Sequence, residues 1–265
     1  MVIAYEGSSP GVDYCDSPWR LWMRKIMVER ADAYITNSKT GKEYLIQVLG
    51  AKPERVFSQP YEIPSALSLI GNSNKTTLEI KLSEKPVFLF VGRIVSRKGL
   101  HSLLEACLLL KQQGYQNYTL LIVGEGEQRP ELEAFCQQQD LANCVQWVGK
   151  VDYQDIGNYF QAADIFILPT IEDTWGVVIL EAMLFGKPIL CSQGAGSSEL
   201  IINGENGYVF DPQNRAELAQ LMAKLIDNSD LIPAMGKASR QQIANYTPEI
   251  AAKHLAEIVN SMQHI

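Results

Sequence analysis

Long apolar segments are missing from this sequence of 265 residues. None of its runs approaches the roughly 18 consecutive apolar residues that a membrane-spanning helix needs. The first residues, MVIAYEGSSPG, also lack the basic segment and the long apolar stretch that make up a signal peptide. We therefore expect a cytoplasmic protein.

Cysteine and histidine are scarce and scattered. The five cysteines form no CxxC pair, and their odd number is typical of reduced thiols rather than of a disulfide framework. The three histidines stand too far apart along the chain to indicate a metal cluster. The sequence thus predicts neither a disulfide-stabilised protein nor a metal site.

Basic residues are outnumbered by acidic ones. The formal net charge is -7 and the isoelectric point is about 5.1. A nucleic-acid-binding protein usually has a surplus of Lys and Arg, so this balance argues against nucleic acid as the main partner. Hydrophobic residues make up 46% of the chain, which is ordinary for a globular protein with one large or two medium domains.

What the sequence does contain is an alternation of short apolar runs and helical stretches from residue 86 onward. The runs are rich in β-branched and aromatic residues, and this pattern predicts parallel strands buried on both faces. The expected fold is a doubly wound α/β domain of the Rossmann type, with ligands at the carboxyl ends of its strands. The predicted strands are 86–92, 118–124, 144–149, 163–170 and 187–192.

The flanking regions have other patterns. Residues 1–65 contain a basic helix, one short strand in ADAYITNS and a second helix. The segment 66–85 belongs to a stretch rich in Ser, Asn and Pro, which we interpret as a linker. Residues 214–265 are predicted to be helical with a break at NYTPEI. We assign 86–248 to the main domain and 249–265 to a terminal helix.

Cations follow the first strand of the main domain. The motif RIVSRKG places Arg93, Arg97 and Lys98 in a loop between a strand and a helix. Cations beside the N–H groups that open a helix form a phosphate site. A set of solvated surface charges explains this motif alone equally well. The following segment IVGEGEQRPELE lacks the third glycine of a dinucleotide-binding loop, so it is a weak cofactor signal.

One carboxylate interrupts the apolar segment IEDTWGVVILEAMLFGKPIL. Between Val177 and Phe185 the only polar side chain is Glu181, and its helical neighbours would shield it from water. Burying an unpaired charge costs several kcal/mol, so Glu181 needs hydrogen-bond donors. A protein neighbour or the hydroxyls of a ligand can supply them. A vicinal diol of a ribose fits the paired acceptors of a carboxylate.

The residues ahead of this helix have two interpretations. Asp173 and Thr174 are good N-cap residues, and this structural role explains them without a ligand. Gly176 permits a close approach of the backbone, and the N–H groups that follow it would point at an anion above the helix. The residues alone leave both interpretations open.

The segment DTWGVVILEAM resembles the E-x7-E element of the group 1 family of retaining glycosyltransferases with the GT-B fold. Companion motifs occur in the family order, and the resemblance runs from about residue 30 to the C-terminus. The family's C-terminal domain binds the sugar nucleotide, so the resemblance implies a UDP-sugar or a GDP-sugar as donor. The companion motifs are VGRIVSRKGL, LLIVGEGEQRPELE, VQWVGKV, ADIFILPT, GKPILCSQGAGSSELI and NGENGYVF.

The resemblance implies a role for each matching residue. Arg93 and Lys98 would hold the diphosphate, and Glu181 would bind the ribose hydroxyls. Asp173 would contact hydroxyls of the donor sugar; because the family usually has Glu there, this contact could fall to Glu172 instead. The remaining donor-site residues are Val148, Gly149 and Lys150, whose backbone borders the base, and Trp175, Gly176 and Val177.

The reaction expected from this resemblance is transfer of a hexosyl unit to a hydroxyl with retention of configuration, without a cofactor or an essential metal. Arg93, Lys98 and the helix N-terminus at Gly176 would stabilise the charge that develops on the leaving diphosphate. The acceptor would be a glycan, a lipid-linked or a small-molecule hydroxyl. A sugar-nucleotide epimerase is a third possibility, but the pair Asp173 and Glu181 favours the transferase.

The N-terminal part departs from the family pattern. A complete member has a whole N-terminal Rossmann-like domain, whereas residues 1–65 resemble only its last portion, with ADAYITNS as its final strand. We expect a partial domain that has an open sheet edge and is less ordered than residues 86–240. The terminal helix is expected to cross back to this partial domain. The alternative function is therefore a truncated, non-catalytic fragment or subunit that binds a nucleotide sugar.

A basic amphipathic helix is predicted over residues 18–30, PWRLWMRKIMVER. Such a helix could lie on the anionic inner face of a membrane, as in peripheral enzymes. The other interpretation, which we favour from the sequence, is a helix whose apolar face packs on its own sheet.

Overall fold

The computed structural model describes residues 2–5, 7, 17–59 and 84–262. These residues form two parallel β-sheets, one of three strands and one of six. The linker predicted over 66–85 lies outside the described residues except for its last two positions.

The smaller sheet belongs to the first 59 residues. Its strands β1 (Ile3–Tyr5), β2 (Ala33–Thr36) and β3 (Val56–Ser58) pair in parallel in the order β1-β2-β3. Helix α1 (Pro18–Arg30) joins β1 to β2, and α2 (Lys39–Gln47) joins β2 to β3. ADAYITNS therefore forms the middle strand rather than the final one. Sequence patterns do not predict β1 or β3, because three residues are too few to show a periodicity.

This smaller unit has a modest core of its own. Its β1 edge opposite β2 pairs with none of the strands described in the structure. The side chains of α1 contribute only partly buried contacts, since no residue of that helix is buried. The buried residues of the cluster are Ala31, Tyr34, Tyr44, Leu45, Leu49, Ala51 and Val56.

The larger sheet follows in the remainder of the chain. Its strands are β4 (Val87–Val91), β5 (Thr119–Val123), β6 (Val145–Gly149), β7 (Ile165–Leu168), β8 (Ile189–Ser192) and β9 (Gly207–Phe210). All neighbours are parallel, in the order β6-β5-β4-β7-β8-β9. This is the order of a doubly wound Rossmann sheet, in which β4 and β7 flank the point where the strand order reverses. Ligands bind such sheets outside the carboxyl ends of these strands.

The predicted strands and the observed ones agree in type and nearly in extent. All five predicted strands are present, with ends that differ by at most two residues. Four of the five, β4, β5, β7 and β8, are fully buried runs such as VFLFV in β4, which explains why the apolar pattern alone finds them. Strand β9 is not predicted because its four residues follow the glycine-containing turn NGENG and lie at the sheet margin.

Helices connect the strands β4 to β8 of the larger sheet in succession. Two breaks interrupt the C-terminal helical region where one was predicted, because Asn-Ser-Asp at 228–230 competes with helical hydrogen bonding. Among the described residues, no helix is both long and apolar enough to cross a membrane. The helices are α3 (Leu100–Gln112), α4 (Arg129–Gln138), α5 (Ile156–Ala162), α6 (Val178–Leu184), α7 (Arg215–Asp227), α8 (Leu231–Ile243) and α9 (Pro248–Met262).

Hydrogen bonds join the smaller unit to the larger one. The Lys39 N–H at the start of α2 donates to Glu199 Oε2 at 3.1 Å. The Gln59 side-chain amide donates to the Ala251 carbonyl of α9 at 3.2 Å. The N-terminus of α2 thus faces the loop that follows β8, next to the carboxyl edge of the larger sheet.

Candidate functional site

The loops after β4 and β7 are in close contact at this edge. The loop after β4 contains a 3-10 helix, Ser96–Lys98, and ends at Gly99, whose φ is 68°. A Cβ atom at Gly99 would lie 2.0 Å from the Pro169 carbonyl oxygen, so only glycine permits the approach. The Ile171 N–H also donates to the Arg97 carbonyl at 2.8 Å. These contacts place Lys98 beside the residues that follow β7.

Lys98 and Asp173 form an ion pair at this position. Lys98 Nζ donates a hydrogen bond to Asp173 Oδ2, and the two side chains are 12% and 15% exposed. Arg97 Nη1 lies 4.0 Å from the same oxygen and donates to the Glu172 carbonyl at 3.3 Å. Water and salt weaken the attraction within a shielded ion pair less than within a surface pair. The electrostatic attraction between Lys98 and Asp173 is therefore stronger than that in most exposed pairs.

Asp173 is not the N-cap of α6, which was one interpretation of the sequence. The helix begins only at Val178. Asp173 lies instead in an extended bridge with Ala195, and its N–H donates to the Gly194 carbonyl at 2.9 Å. The bridge fixes the Asp173 backbone so that its carboxylate faces Lys98.

Backbone N–H groups are grouped at the start of α6. Gly176 has a φ of 90°, and the first helical hydrogen bond is donated by the Ile179 N–H. The N–H groups of Val177 and Val178 precede it, in the first turn, where the N–H groups of a helix have no acceptor within the helix. The side chain of Trp175, just ahead of them, is buried in the core with 1% exposure.

Glu181 is buried as the sequence indicates, with 5% exposure on α6. Burial raises the pKa of its carboxyl, and a hydrogen bond from the Tyr153 hydroxyl to Oε1 at 2.9 Å acts in the opposite direction. From the residues that the structure describes, Oε2 receives no hydrogen bond. A protein neighbour therefore satisfies part of the carboxylate. Sequence analysis does not find Tyr153, because no local pattern links positions 28 residues apart.

A cleft of about 290 Å³ lies between the two units. The larger unit lines it with 171–174 after β7 and 193–196 after β8, so Glu172 and Asp173 both border it. The smaller unit contributes Ser38 and Thr40, at the start of α2. Sequence reasoning misses these two residues, because only the packing of α2 against the larger unit brings them to the cleft.

A second cleft, of about 320 Å³, opens beyond the ends of β4, β5 and β6. Arg93 borders it together with Lys150 and Glu125, and Glu125 is paired with Arg129. Arg93 therefore lies in this cleft, whereas Lys98 pairs with Asp173. The apolar part of the lining comes from Val91, Gly92, Val123, Gly124, Val151 and Ile156.

The three residues predicted to border a nucleobase lie at the end of β6. Lys150 lines the second cleft, and Val148 and Gly149 complete the strand. The Gly149 carbonyl accepts a hydrogen bond from the Gly124 N–H at 2.8 Å, which joins the end of β6 to a residue that lines this cleft. Over the described part of the chain, no three His, Cys, Asp or Glu side chains are grouped as a metal site needs.

Comparison with known proteins identifies the relatives of this chain. Residues 75–242, more than half of it, match the family described as glycosyl transferases group 1. The amylovoran biosynthesis glycosyltransferase of Erwinia amylovora is 32% identical over 181 residues, which are 66% of this chain and 44% of that protein. The alpha-D-kanosaminyltransferase of Streptomyces kanamyceticus is 26% identical over 91% of this chain and 63% of its own length. The chain thus spans about half the length of these relatives.

Solved structures show the same architecture. Sucrose-phosphate synthase from Thermosynechococcus elongatus matches with a TM-score of 0.82 and 24% identity, over 99% of this chain and 68% of that one. Anabaena HepE, solved in complex with UDP and glucose, matches with a TM-score of 0.81 and 22% identity, over 98% of this chain and 71% of that one. The chain therefore belongs to the group 1 glycosyltransferases, and its two Rossmann-like parallel sheets are those of the GT-B fold.

Proposed function

We propose that this chain binds a nucleoside-diphosphate sugar at the carboxyl edge of its larger sheet and transfers the hexosyl unit to a hydroxyl acceptor with retention of configuration. The observation that carries the proposal is the meeting of three features at one edge. They are the Lys98–Asp173 ion pair, the buried Glu181 and the cleft that contains Arg93.

The diphosphate would be held by cations and by backbone donors. Arg93 presents a guanidinium at the second cleft, and Lys98 has three N–H donors, so it can keep Asp173 while it binds a phosphate oxygen. The N–H groups of Val177 and Val178 add two more donors. Donors that are already in place stabilise the charge that develops as the leaving diphosphate separates, so we propose a reaction without a metal or another cofactor.

The remaining parts of the donor would contact the other residues of the site. Glu181 accepts hydrogen bonds from the ribose hydroxyls, and the backbone of 148–150 borders the base in the mainly apolar second cleft. Asp173, with Glu172 beside it, binds hydroxyls of the sugar in the cleft between the units. The acceptor, a glycan, a lipid-linked or a small-molecule hydroxyl, would enter from the side of Ser38 and Thr40.

The structural relatives support a nucleoside-diphosphate donor. Anabaena HepE was solved with UDP and with UDP-glucose, and it shares the fold over nearly the whole of this chain. We propose a UDP-sugar or a GDP-sugar as the donor class for the present chain.

A calorimetric titration of UDP and GDP into the purified chain tests donor binding. We expect Lys98→Met to weaken binding by about tenfold or more, the size of one lost charged hydrogen bond. Lys85→Met is the matched control, because the Lys85 side chain is 70% exposed and pairs with Asp164 on the surface. If neither nucleotide binds, or if the two variants behave alike, the donor site is not where we propose it.

A transfer assay separates the enzyme from the alternative function. The chain spans only part of the length of its curated relatives, so it could serve as a non-catalytic fragment or subunit that binds the donor. Release of UDP or GDP that depends on an added hydroxyl acceptor, with a product of unchanged anomeric configuration, is the outcome we expect. Tight nucleotide binding without turnover would favour the non-catalytic fragment.

Helix α1 supports a separate proposal, contact with the anionic inner surface of a membrane. Only Leu21 and Val28 pack partly on the small core, whereas Trp19, Trp22 and Met27 are 64%, 53% and 66% exposed. The two Trp rings stack with centroids 5.0 Å apart, in a helix that also contains four basic residues. Exposed aromatic rings beside cations suit an anionic lipid surface. Flotation with vesicles that contain anionic phospholipid tests this, and absence of co-flotation would refute it.

A further inference from the structure

Tyr153 connects two parts of the proposed donor site. It opens the 3-10 helix Tyr153–Asp155, three residues beyond Lys150 in the second cleft. The residue is 52% exposed, yet its hydroxyl bonds to a carboxylate whose residue is only 5% exposed. The tyrosine therefore extends from the loop beside the base to the acid that we assign to the ribose, Glu181.

The carboxylate of Glu181 has acceptor positions that the Tyr153 hydroxyl does not use and that a ligand can occupy. A carboxylate offers about four acceptor positions, and the Tyr153 hydroxyl occupies one of them, on Oε1 of Glu181. The terminal torsion of a Glu side chain has no sharp preference, so the plane of a free carboxylate is poorly defined. A hydrogen bond of 2.9 Å to one oxygen fixes that plane and leaves the other oxygen for a second partner.

We propose that Tyr153 is a positioning residue for the nucleoside, which holds Oε1 of Glu181 so that Oε2 accepts the hydroxyl hydrogens of the ribose diol. This inference rests on the proposed function, because it takes Glu181 to be the ribose-binding acid. It makes the site selective for ribonucleotides, since a nucleotide without these hydroxyls leaves the buried carboxylate short of donors.

The Tyr153 hydroxyl has a measurable effect on the pKa of Glu181. Burial has the largest influence on the pKa of Glu181 and raises it. The hydrogen bond from Tyr153 has the second largest influence and lowers it. Helix α6 packs against β7, β8 and α8. The charged side chains of α8 are Lys237 and Arg240, and Arg240 donates to the Phe185 carbonyl instead. Loss of the Tyr153 hydroxyl should therefore raise the pKa of Glu181 further.

The test compares Tyr153→Phe with Tyr115→Phe, each removing one hydroxyl that bonds to a carboxylate. Tyr115 is a matched control, because its hydroxyl donates to Asp227 at 2.7 Å on the surface between α3 and α7. UDP and 2′,3′-dideoxy-UDP are titrated into each protein, with the corresponding GDP pair in parallel. Thermal unfolding of both variants shows that they fold.

We expect the wild-type chain to prefer the ribonucleotide by on the order of 10- to 100-fold, as charged hydrogen bonds allow. Tyr153→Phe should reduce this preference by about fivefold or more, with little change in affinity for the dideoxy nucleotide. The pH below which UDP affinity declines should also rise in this variant, because Glu181 takes up its proton earlier. Tyr115→Phe should behave as the wild type.

Two results would overturn the inference while leaving the donor site intact. One is an unchanged ribonucleotide preference in Tyr153→Phe, and the other is an equal loss of affinity for both nucleotides, which indicates a general structural role. Failure of the proposed function has a different signature. In that case the wild-type chain shows no preference for the ribonucleotide over the dideoxy nucleotide, and Glu181→Gln leaves UDP binding unchanged. Those results would refute both the role of Glu181 in ribose binding and the role of Tyr153.

Discussion

At the scale of single residues, the two carboxylates of the site have different neighbours. Asp173 has the cation Lys98 beside it, whereas Glu181 accepts its hydrogen bond from the neutral hydroxyl of Tyr153. A buried carboxylate with so little compensation destabilises the folded protein when it is ionised. Residues that reduce stability in this way are typical of functional sites, where binding requires a charge that folding does not favour.

Glu181→Gln is therefore expected to stabilise the unliganded protein at neutral pH. The folded-state pKa of Glu181 is raised, so ionisation lowers stability as the pH rises through that pKa. Gln keeps an acceptor for Tyr153 without the charge and should add about 1 kcal/mol at pH 7. The gain should vanish once the pH falls below the ordinary range of Glu.

Urea unfolding at neutral and acidic pH, with UDP titration at neutral pH, measures both effects of this variant. UDP affinity should fall while stability rises. Glu205→Gln, at an exposed position of the turn before β9, is the control and should change neither. A Glu181→Gln protein that is less stable than the wild type at pH 7 would contradict the argument.

Asp173→Asn tests the ion pair with Lys98. Because both side chains are mostly shielded, loss of the charge leaves the ammonium group with weaker compensation. We expect the free energy of unfolding to fall by about 1–3 kcal/mol. Glu105→Gln removes a comparable partner from Arg215, whose side chain is 56% exposed, and should cost about 0.5 kcal/mol or less. Urea denaturation of both variants gives the comparison, and equal losses would show that the Lys98 pair has no special strength.

At the scale of elements, the site depends on loops that approach one another more closely than side chains allow. Gly99 lies against the Pro169 carbonyl, and Gly196 would place a Cβ atom 2.2 Å from the Thr174 carbonyl. These contacts join the ends of β4, β7 and β8 into one surface. The positions of Lys98 and Asp173 follow from this backbone packing as much as from their own side chains.

Gly99→Ala should therefore disturb the site as well as the fold. The new methyl group meets the Pro169 carbonyl, so the loop must shift, and a φ of 68° adds strain. Gly114→Ala separates the two causes, because Gly114 also has a positive φ, of 91°, but no atom within 4 Å of the added Cβ.

We expect Gly114→Ala to cost about 1–2 kcal/mol, the penalty of the left-handed conformation, and to leave UDP binding unchanged. Gly99→Ala should cost more in urea unfolding and should also weaken UDP binding. Equal behaviour of the two variants would mean that the contact between the loops does not position Lys98.

At the scale of the whole molecule, the chain joins two units of unequal size. The larger unit has six parallel strands and one extensive buried core, whereas the smaller one has three strands and a core of a few residues. Local stability follows the amount of buried apolar surface, so the two units should open with different free energies. The contacts of α2 and Gln59 with the larger unit couple them.

Amide hydrogen exchange should show this difference. We expect the amides of β1–β3 to exchange faster than those of β4, β5 and β7, because the small sheet has an edge that the described strands leave unpaired and little core behind it. UDP should slow exchange in the loops after β4 and β7. Uniform protection across both sheets would show that the smaller unit is as stable as the larger one.

The sequence by itself determined the doubly wound fold and the family. The fold follows from local signals, since buried parallel strands are continuous apolar runs. The family follows from the resemblance of DTWGVVILEAM and its companion motifs to the group 1 glycosyltransferases. It did not show the strands β1 and β3, because three residues have no clear periodicity. It also did not show β9, which is only partly buried at the margin of the sheet.

Only the tertiary structure decided which residues meet. The Lys98–Asp173 pair joins positions 75 apart, and the Tyr153–Glu181 bond joins positions 28 apart. Ser38 and Thr40 reach the cleft only through the packing of α2 on the larger unit. Local sequence sets the type of each element, whereas contacts between distant residues depend on how strand order and close backbone packing bring the loops together.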